Sequence, residues 1–314
     1  MERMGDVLRA DQFDKVFLEH LYRVTNKVRT IAKTTVGSAY LKKLLSNKRA
    51  MLYFSQPSTR TYMSFLNACQ ILGLTNSSIR ETSTSSEVKG ESKLDSLRTF
   101  SSYVDLIIMR TSDVTFAEDS AAFLKKTRRP IPIINAGSGV MEHPTQALLD
   151  IYTLQRSFKN NGGLDGKQIL FCGDLARGRT VKSLVQLLDY YKVEIVQCAP
   201  PKLQLGNSFR HSEKIEEFLG TADAVYMTRI QDEYDVGEDK TQKSYDGFKL
   251  TKDNIKMMKA NSIIMHPLPR RDEIATEIDD DPRAMYWRQC RNGMWTRVAL
   301  IAYLFDKDGD ILKY

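Results

Sequence analysis

Along most of this 314-residue chain, short apolar runs alternate with stretches whose apolar residues recur every three or four positions. The runs Ala50–Phe54, Leu106–Arg110, Ile131–Ala136, Gln168–Cys172, Glu194–Cys198, Ala224–Thr228 and Ser262–His266 are rich in Ile, Val and Leu on both parities. Strands covered on both faces, as in parallel sheets, carry that pattern. Between the first two runs, Thr59–Leu72 places Tyr62, Phe65, Leu66, Cys69 and Leu72 on one stripe ahead of Gly73, as in a helix laid on a core. The alternation predicts an α/β fold of two doubly wound domains, each a parallel sheet flanked by helices, with an active site in the cleft between them.

Residues 1–150 with 292–314 are expected to form one domain and residues 151–291 the other. Pro144–Phe158 reads as a helix bridging the halves, followed by a Gly-rich boundary at 159–167. Pro282–Phe305 reads as one or two helices whose Val298, Leu300, Ile301, Leu304 and Phe305 need a partner, such as the first domain. The Ser/Thr-rich run Thr82–Ser86 and the segment Gln231–Gly247 read as long polar loops, a class that in compact domains tends to be functional.

Composition narrows the class. Hydrophobic residues make up 42% and charged residues 27%, which fits a folded globular chain. The net charge of +7 is spread along the sequence, without the basic stripe of a nucleic-acid binder. Four cysteines (Cys69, Cys172, Cys198, Cys290) show no CxxC spacing, so buried reduced thiols are expected rather than a disulfide framework or zinc site. The four histidines lack paired-ligand spacing, and no metal or cofactor is expected. Without a signal-peptide core or a membrane-length apolar run, the reading is a cytoplasmic protein.

Unusual polar residues gather at the predicted strand ends, where open parallel sheets bind ligands. Ser58-Thr59-Arg60-Thr61 follow the first strand at a helix start, a site suited to an oxyanion. Arg110 ends the second. Gly137-Ser138-Gly139 and Glu142-His143-Pro144-Thr145-Gln146 follow the third, and Gly173-Asp174-Leu175-Ala176-Arg177-Gly178-Arg179-Thr180 the fourth. Arg229-Ile230-Gln231 follow Ala224–Thr228, and His266-Pro267-Leu268-Pro269-Arg270 end the last. Plainer readings exist for each: an ordinary Ser cap, a surface Arg110, a helix-start His143, a nucleotide loop at 173–180. The last lacks both the GxGxxG and GxxxxGK[ST] patterns. Together the residues offer positive and hydrogen-bonding groups without a nucleophile–base pair, which favours clamping an anionic substrate over nucleophilic catalysis.

Phe54-Ser55-Gln56-Pro57-Ser58-Thr59-Arg60-Thr61, His143-Pro144-Thr145-Gln146, the Gly173–Thr180 segment, Met227-Thr228-Arg229-Ile230-Gln231 and His266-Pro267-Leu268-Pro269-Arg270 together resemble the aspartate carbamoyltransferases, in order and over nearly the whole chain. Ornithine-specific relatives usually carry His-Cys-Leu-Pro at the last motif. The resemblance implies transfer of a carbamoyl group from carbamoyl phosphate to the amine of L-aspartate, a step of pyrimidine synthesis. Residues 1–150 plus 292–314 would bind carbamoyl phosphate and residues 151–291 aspartate.

By the same resemblance Ser58, Thr59, Arg60 and Thr61 hold the phosphate, while Thr61, Arg110 and His143 face the carbamoyl oxygen. Arg60, Thr61, Arg110 and His143 are thus the implied catalytic group. Gln146 and the Pro267 carbonyl would bind the carbamoyl NH2. Arg179, Arg229 and Gln231 would bind the aspartate carboxylates, and the Leu268 carbonyl would orient the amine. Ser85 and Lys89 would enter a neighbouring subunit's site, which implies a catalytic homotrimer, open to assembly with a regulatory chain or a dihydroorotase. Two positions depart from the best-known members: Gln56 replaces a Glu and Tyr234 an Arg, the two ends of a link that in those members bridges the closed domains. Closure here is expected to rely on other contacts. The competing readings are a carbamoyltransferase for another amino acid, an inactive trimeric scaffold and a nucleotide-binding oxidoreductase.

Overall fold

The computed structural model describes residues 3–80, 91–139, 142–231 and 246–314. Ser85, Lys89, Tyr234 and the run Thr82–Ser86 lie outside the described residues. The chain divides into two compact units, Met1–Tyr152 with Asn292–Tyr314, and Thr153–Arg291.

In the first unit, β1 (Arg49–Phe54), β2 (Thr75–Ile79), β3 (Leu106–Thr111) and β4 (Ile133–Ser138) form a parallel sheet in the order β2-β1-β3-β4. Helices α1 (Lys15–Ile31), α2 (Thr35–Lys43), α3 (Thr59–Leu72), α4 (Lys93–Tyr103) and α5 (Phe116–Lys125) belong to this unit. Met51, Tyr53, Ile107, Met109 and Ile133 pack with Leu97, Phe116 and Ala121 in one cluster. The alternate residues Leu52, Ile108 and Ile134 are equally buried. Burial of both faces is why these strands are apolar on both parities. Helix α1 starts at Asp14, whose carboxylate accepts the Phe17 N–H at 2.7 Å, and its buried stripe runs Phe17, Leu21, Val24, Val28, Ile31.

The chain enters the second unit within α6 (Pro144–Phe158). There β5 (Gln168–Cys172), β6 (Glu194–Cys198), β7 (Arg210–Ser212), β8 (Ala224–Met227) and β9 (Ile263–Met265) form a parallel sheet in the order β7-β6-β5-β8-β9, with helices α7 (Arg179–Leu188) and α8 (Glu216–Leu219). Leu170, Val196, Val225 and Ile264 pack with Phe218, Leu219, Leu250 and Tyr286. Helix α9 (Tyr286–Leu304) returns the chain to the first unit, followed by α10 (Asp308–Lys313).

The α/β expectation and the extents of α3 and α6 match the structure. Strands β2 and β7 were not expected. Both lie at sheet edges, and Thr-Asn-Ser-Ser-Ile and Arg-His-Ser carry too little apolar surface to announce a strand. Strand β4 begins at Ile133, not Ile131, because Pro132 has no N–H to give the ladder. The segment 282–305 holds one helix. Cys69, Cys172 and Cys198 are buried, but Cys290 is exposed: the buried stripe of α9 runs through Tyr286, Gln289 and Asn292, and position 290 falls off it. Among the described residues no helix is long and apolar enough to cross a membrane, and no group of three or more His, Cys, Asp or Glu could hold a metal ion.

One buried carboxylate ties the two ends of the first unit together. Asp308, 3% exposed, accepts Arg3 Nη1 at 2.9 Å and pairs with His20 Nε2 at 2.6 Å. Burial pushes the Asp308 pKa up, but the hydrogen bonds from Arg3 and His20 and the charge of Arg3 outweigh it and leave it lowered. Its contribution to stability is therefore full above the ordinary carboxylate range and lost as pH falls through the lowered value. Asp308→Asn should lower the melting temperature by several degrees at about pH 7, and the gap to the unaltered protein should close below about pH 4. Thermal melts at both pH values check this.

Candidate active site

In the first sheet the strand order reverses between β1 and β3, so the connections leaving these neighbours run in opposite directions and open a crevice at their carboxyl ends. The chain leaving β1 is tied to β3 there: the Arg110 carbonyl accepts both the Gln56 N–H at 3.2 Å and the Ser55 hydroxyl at 3.3 Å. Ser58 takes the N-cap position of α3 in extended backbone, yet its side chain makes no capping bond. Ser58 is half-buried, Thr59 and Arg60 are exposed, and Thr61 is buried. Hydroxyls and a guanidinium thus stand beside the first-turn N–H groups of a helix, an arrangement that receives an oxyanion.

Arg110 and His143 come together around Gly137. Arg110 is 8% exposed and His143 5%. Arg110 Nη1 donates to the Ala136 carbonyl at 3.2 Å. Gly137 has φ +116°, and a Cβ there would lie 2.5 Å from Arg110 Nη1 and 3.4 Å from His143 Cδ2. Only glycine leaves the guanidinium room and tolerates this backbone. The His143 carbonyl accepts the N–H groups of Gln146 and Ala147 as α6 begins, and Gln146 Nε2 donates to the buried Asp150 at 3.0 Å.

Sequence reasoning passed over two supports of this half-site. Asn135, 3% exposed, donates to the Leu8 carbonyl and Ser138 Oγ and accepts the Gly137 N–H at 2.8 Å. An Asn inside an otherwise apolar buried strand was the available signal. Arg297, buried on α9, donates to Ser64 Oγ at 2.7 Å and lies 4.7 Å over the Phe65 ring, which fixes α3 one turn beyond Thr61. Gln56 keeps its backbone role, and its Oε1 is buried with no hydrogen bond among the described residues.

The second sheet reverses between β5 and β8. Gly173 has φ +111°, and a Cβ there would fall 2.0 Å from the Thr228 carbonyl oxygen, so the loops leaving β5 and β8 touch backbone to backbone. Fully buried Asp174 spans them. It accepts the Arg177 N–H at 3.2 Å, Arg177 Nε at 2.7 Å and the Gln231 N–H at 3.1 Å. Arg179 opens α7 just beyond, and Arg229 and Gln231 are half-buried after β8. At the end of the adjacent β9, Leu268 holds φ +56° between Pro267 and Pro269. Arg270, the last residue of that motif, is occupied by Asp279 in a two-bond ion pair and by the rings of Tyr286 and Trp287. That pairing lowers the Asp279 pKa and raises that of Arg270.

The candidate residues therefore form two sets, one in each unit. Ser58–Thr61, Arg110, His143 and Gln146 surround the end of the first sheet. Arg179, Arg229, Gln231, Pro267 and Leu268 stand on three strand ends of the second. The first set suits a phosphate and a developing oxyanion, the second a pair of carboxylates.

Comparison with known proteins also divides the chain in two, with the second match running on through α9. Residues 5–156 match the family described as aspartate/ornithine carbamoyltransferase, carbamoyl-P binding domain, and residues 165–304 its Asp/Orn binding domain. The chloroplastic aspartate carbamoyltransferase of Arabidopsis thaliana is 40% identical over 96% of this chain and 78% of its own length. The multifunctional protein pyr1-3 of Dictyostelium discoideum is 38% identical over 95% of this chain, which spans 13% of that larger protein. The solved structure of Trypanosoma cruzi aspartate transcarbamoylase in complex with carbamoyl phosphate and aspartate superposes with a TM-score of 0.84, at 30% identity over 95% of this chain and 96% of that one.

The Asp174 geometry carries a direct test. Asp174→Asn keeps the shape but loses the charge that holds Arg177 and part of the capacity to hold Gln231. It should cost about 1–3 kcal/mol in urea unfolding; an unchanged midpoint and slope would show that the buried carboxylate does not tie the two loops.

Proposed function

The chain belongs to the aspartate/ornithine carbamoyltransferase family, and on that premise we propose that it transfers the carbamoyl group of carbamoyl phosphate to the amine of L-aspartate. The amine nitrogen bonds to the carbamoyl carbon, the bond from that carbon to the phosphate oxygen breaks, and the phosphate leaves with the amine proton. The products are N-carbamoyl-L-aspartate and phosphate, and the reading places the step in pyrimidine synthesis.

Ser58, Thr59, Arg60 and Thr61 hold the phosphate in this reading. Thr61, Arg110 and His143 donate to the carbamoyl oxygen as it gains charge, where a fixed donor is worth ~3–4 kcal/mol. Gln146 and the Pro267 carbonyl take the carbamoyl NH2. Arg179, Arg229 and Gln231 take the two carboxylates, and the Leu268 carbonyl orients the amine. Positioning and charge stabilisation supply the rate without a covalent intermediate. Residues 1–150 with 292–314 act as the carbamoyl-phosphate domain and 151–291 as the aspartate domain. Ser85 and Lys89 complete a neighbouring subunit's site in a cytoplasmic catalytic homotrimer.

The reading rests on one observation above the others. Oxyanion donors and carboxylate donors fall separately at the two points where strand order reverses, one in each unit. A relative solved with carbamoyl phosphate and aspartate is similar over 95% of this chain. The aspartate specificity is favoured by Met227-Thr228-Arg229-Ile230-Gln231 and by Pro267 in place of a cysteine.

The test is N-(phosphonacetyl)-L-aspartate, which joins both substrate halves in one molecule. At about 1,000 times its Kd it should stabilise the fold by about 4 kcal/mol, read as a large rise in melting temperature. No stabilisation at millimolar analogue would overturn the assignment.

A further inference from the structure

The HPLP segment is held by a histidine that the proposed chemistry does not use. His266 follows β9 directly and is 1% exposed. Its backbone N–H donates to Gln289 Oε1 at 2.9 Å. Its Nε2 lies 2.7 Å from Glu273 Oε1, and its Nδ1 receives the Leu268 N–H at 2.7 Å. A backbone amide can only donate, so Nδ1 must present a lone pair. The ring proton therefore sits on Nε2 and is donated to the Glu273 carboxylate. An imidazolium would set two donors against each other at the Leu268 amide.

Glu273 suits that role. The Arg271 N–H lies 3.2 and 3.1 Å from its two oxygens.

The consequence falls on Leu268. Its φ of +56° is a left-handed conformation that strains a non-glycine residue. The bond from its N–H to Nδ1 restrains the peptide between Pro267 and Leu268 from two residues away. A histidine that merely filled the core would need partners for its nitrogens but not this amide. We propose that His266 is a positioning residue, a neutral Nε2-protonated imidazole that fixes the direction of the Pro267 carbonyl, coplanar with the Leu268 N–H, and through that peptide anchors the left-handed turn from which the Leu268 carbonyl leaves. The inference rests on the proposed function, which gives those carbonyls the carbamoyl NH2 and the attacking amine.

Two isosteres separate the two ring nitrogens. In His266→Asn the side-chain oxygen can take the place of Nδ1 and accept the Leu268 N–H, while the link to Glu273 is lost. In His266→Gln the side-chain amide can reach Glu273, while the Leu268 acceptor is lost. His266→Gln should lower kcat by about 10²-fold, the scale of an ångström-sized misplacement. His266→Asn should stay within about tenfold of the unaltered enzyme, a factor of ten being about 1.4 kcal/mol. Inhibition by inorganic phosphate, whose donors lie in the other unit, should be unchanged in both. Equal losses in the two variants, or full activity in His266→Gln, would overturn the role. Nitrogen-15 NMR of the unaltered protein tests the same claim without a variant: His266 should show a protonated Nε2 and an unprotonated Nδ1 between about pH 6 and 8. Protons on both nitrogens would overturn it. If the unaltered protein makes no carbamoyl aspartate, the functional reading fails while the NMR result still decides the tautomer.

Discussion

Reversal of strand order in a parallel sheet sends the two central connections to opposite faces and leaves their carboxyl ends uncovered. Each unit contains one such point, between β1 and β3 and between β5 and β8. Ser58–Thr61 and Arg110 stand at the strand ends of the first, Arg179, Arg229 and Gln231 at those of the second, and His143, Gln146, Pro267 and Leu268 follow the neighbouring strands. The apolar runs that build the sheets thereby determine where polar residues gather at strand ends. The ends are then locked by backbone-directed bonds: the Arg110 carbonyl takes two donors from the β1 loop, and the Asp174 carboxylate takes three N–H groups from two loops. Such groups fix a site to within the tolerance that positioning catalysis demands.

Glycines and buried polar residues do the remaining positioning. Gly137 lets Arg110 and His143 approach one another, and Gly173 lets two loops meet through their backbones. Asn135, Arg297 and His266 reach no substrate in the proposed reaction, yet each holds a residue or segment that does. Arg270 shows the converse. It belongs to a motif of the site by sequence, but Asp279, Tyr286 and Trp287 engage it fully as part of the fold.

Much of this was legible in the sequence because the central strands are buried on both faces and their apolar runs are unbroken. Edge strands β2 and β7 were not, since one side of each faces no neighbouring strand and polar residues suffice there. Residues that bind ligands through side chains stand out as Arg, His or hydroxyl groups at strand ends. Supporting residues do not: the role of Asn135 depends on contacts with Leu8 and Ser138, and that of Arg297 on Ser64, 233 positions away. The Pro267 and Leu268 carbonyls are invisible to side-chain reasoning altogether and entered only through resemblance. Ser85, Lys89 and Tyr234 lie outside the described residues, so the shared-site expectation stands on the family pattern.

The departure at Gln56 places an amide where the best-known relatives carry a carboxylate. Here its backbone still ties β1 to β3, so the half-site keeps its frame while the side chain carries no charge. The central claim is that one set of donors takes the phosphate end of carbamoyl phosphate and the other takes a dicarboxylate amine. It is tested most directly by supplying the purified protein with carbon-13-labelled carbamoyl phosphate and either L-aspartate or L-ornithine, and reading the products by NMR. The account predicts labelled N-carbamoyl-L-aspartate and inorganic phosphate with aspartate, and no product beyond spontaneous decomposition with ornithine. Labelled citrulline, or no transfer to either amine, would contradict it.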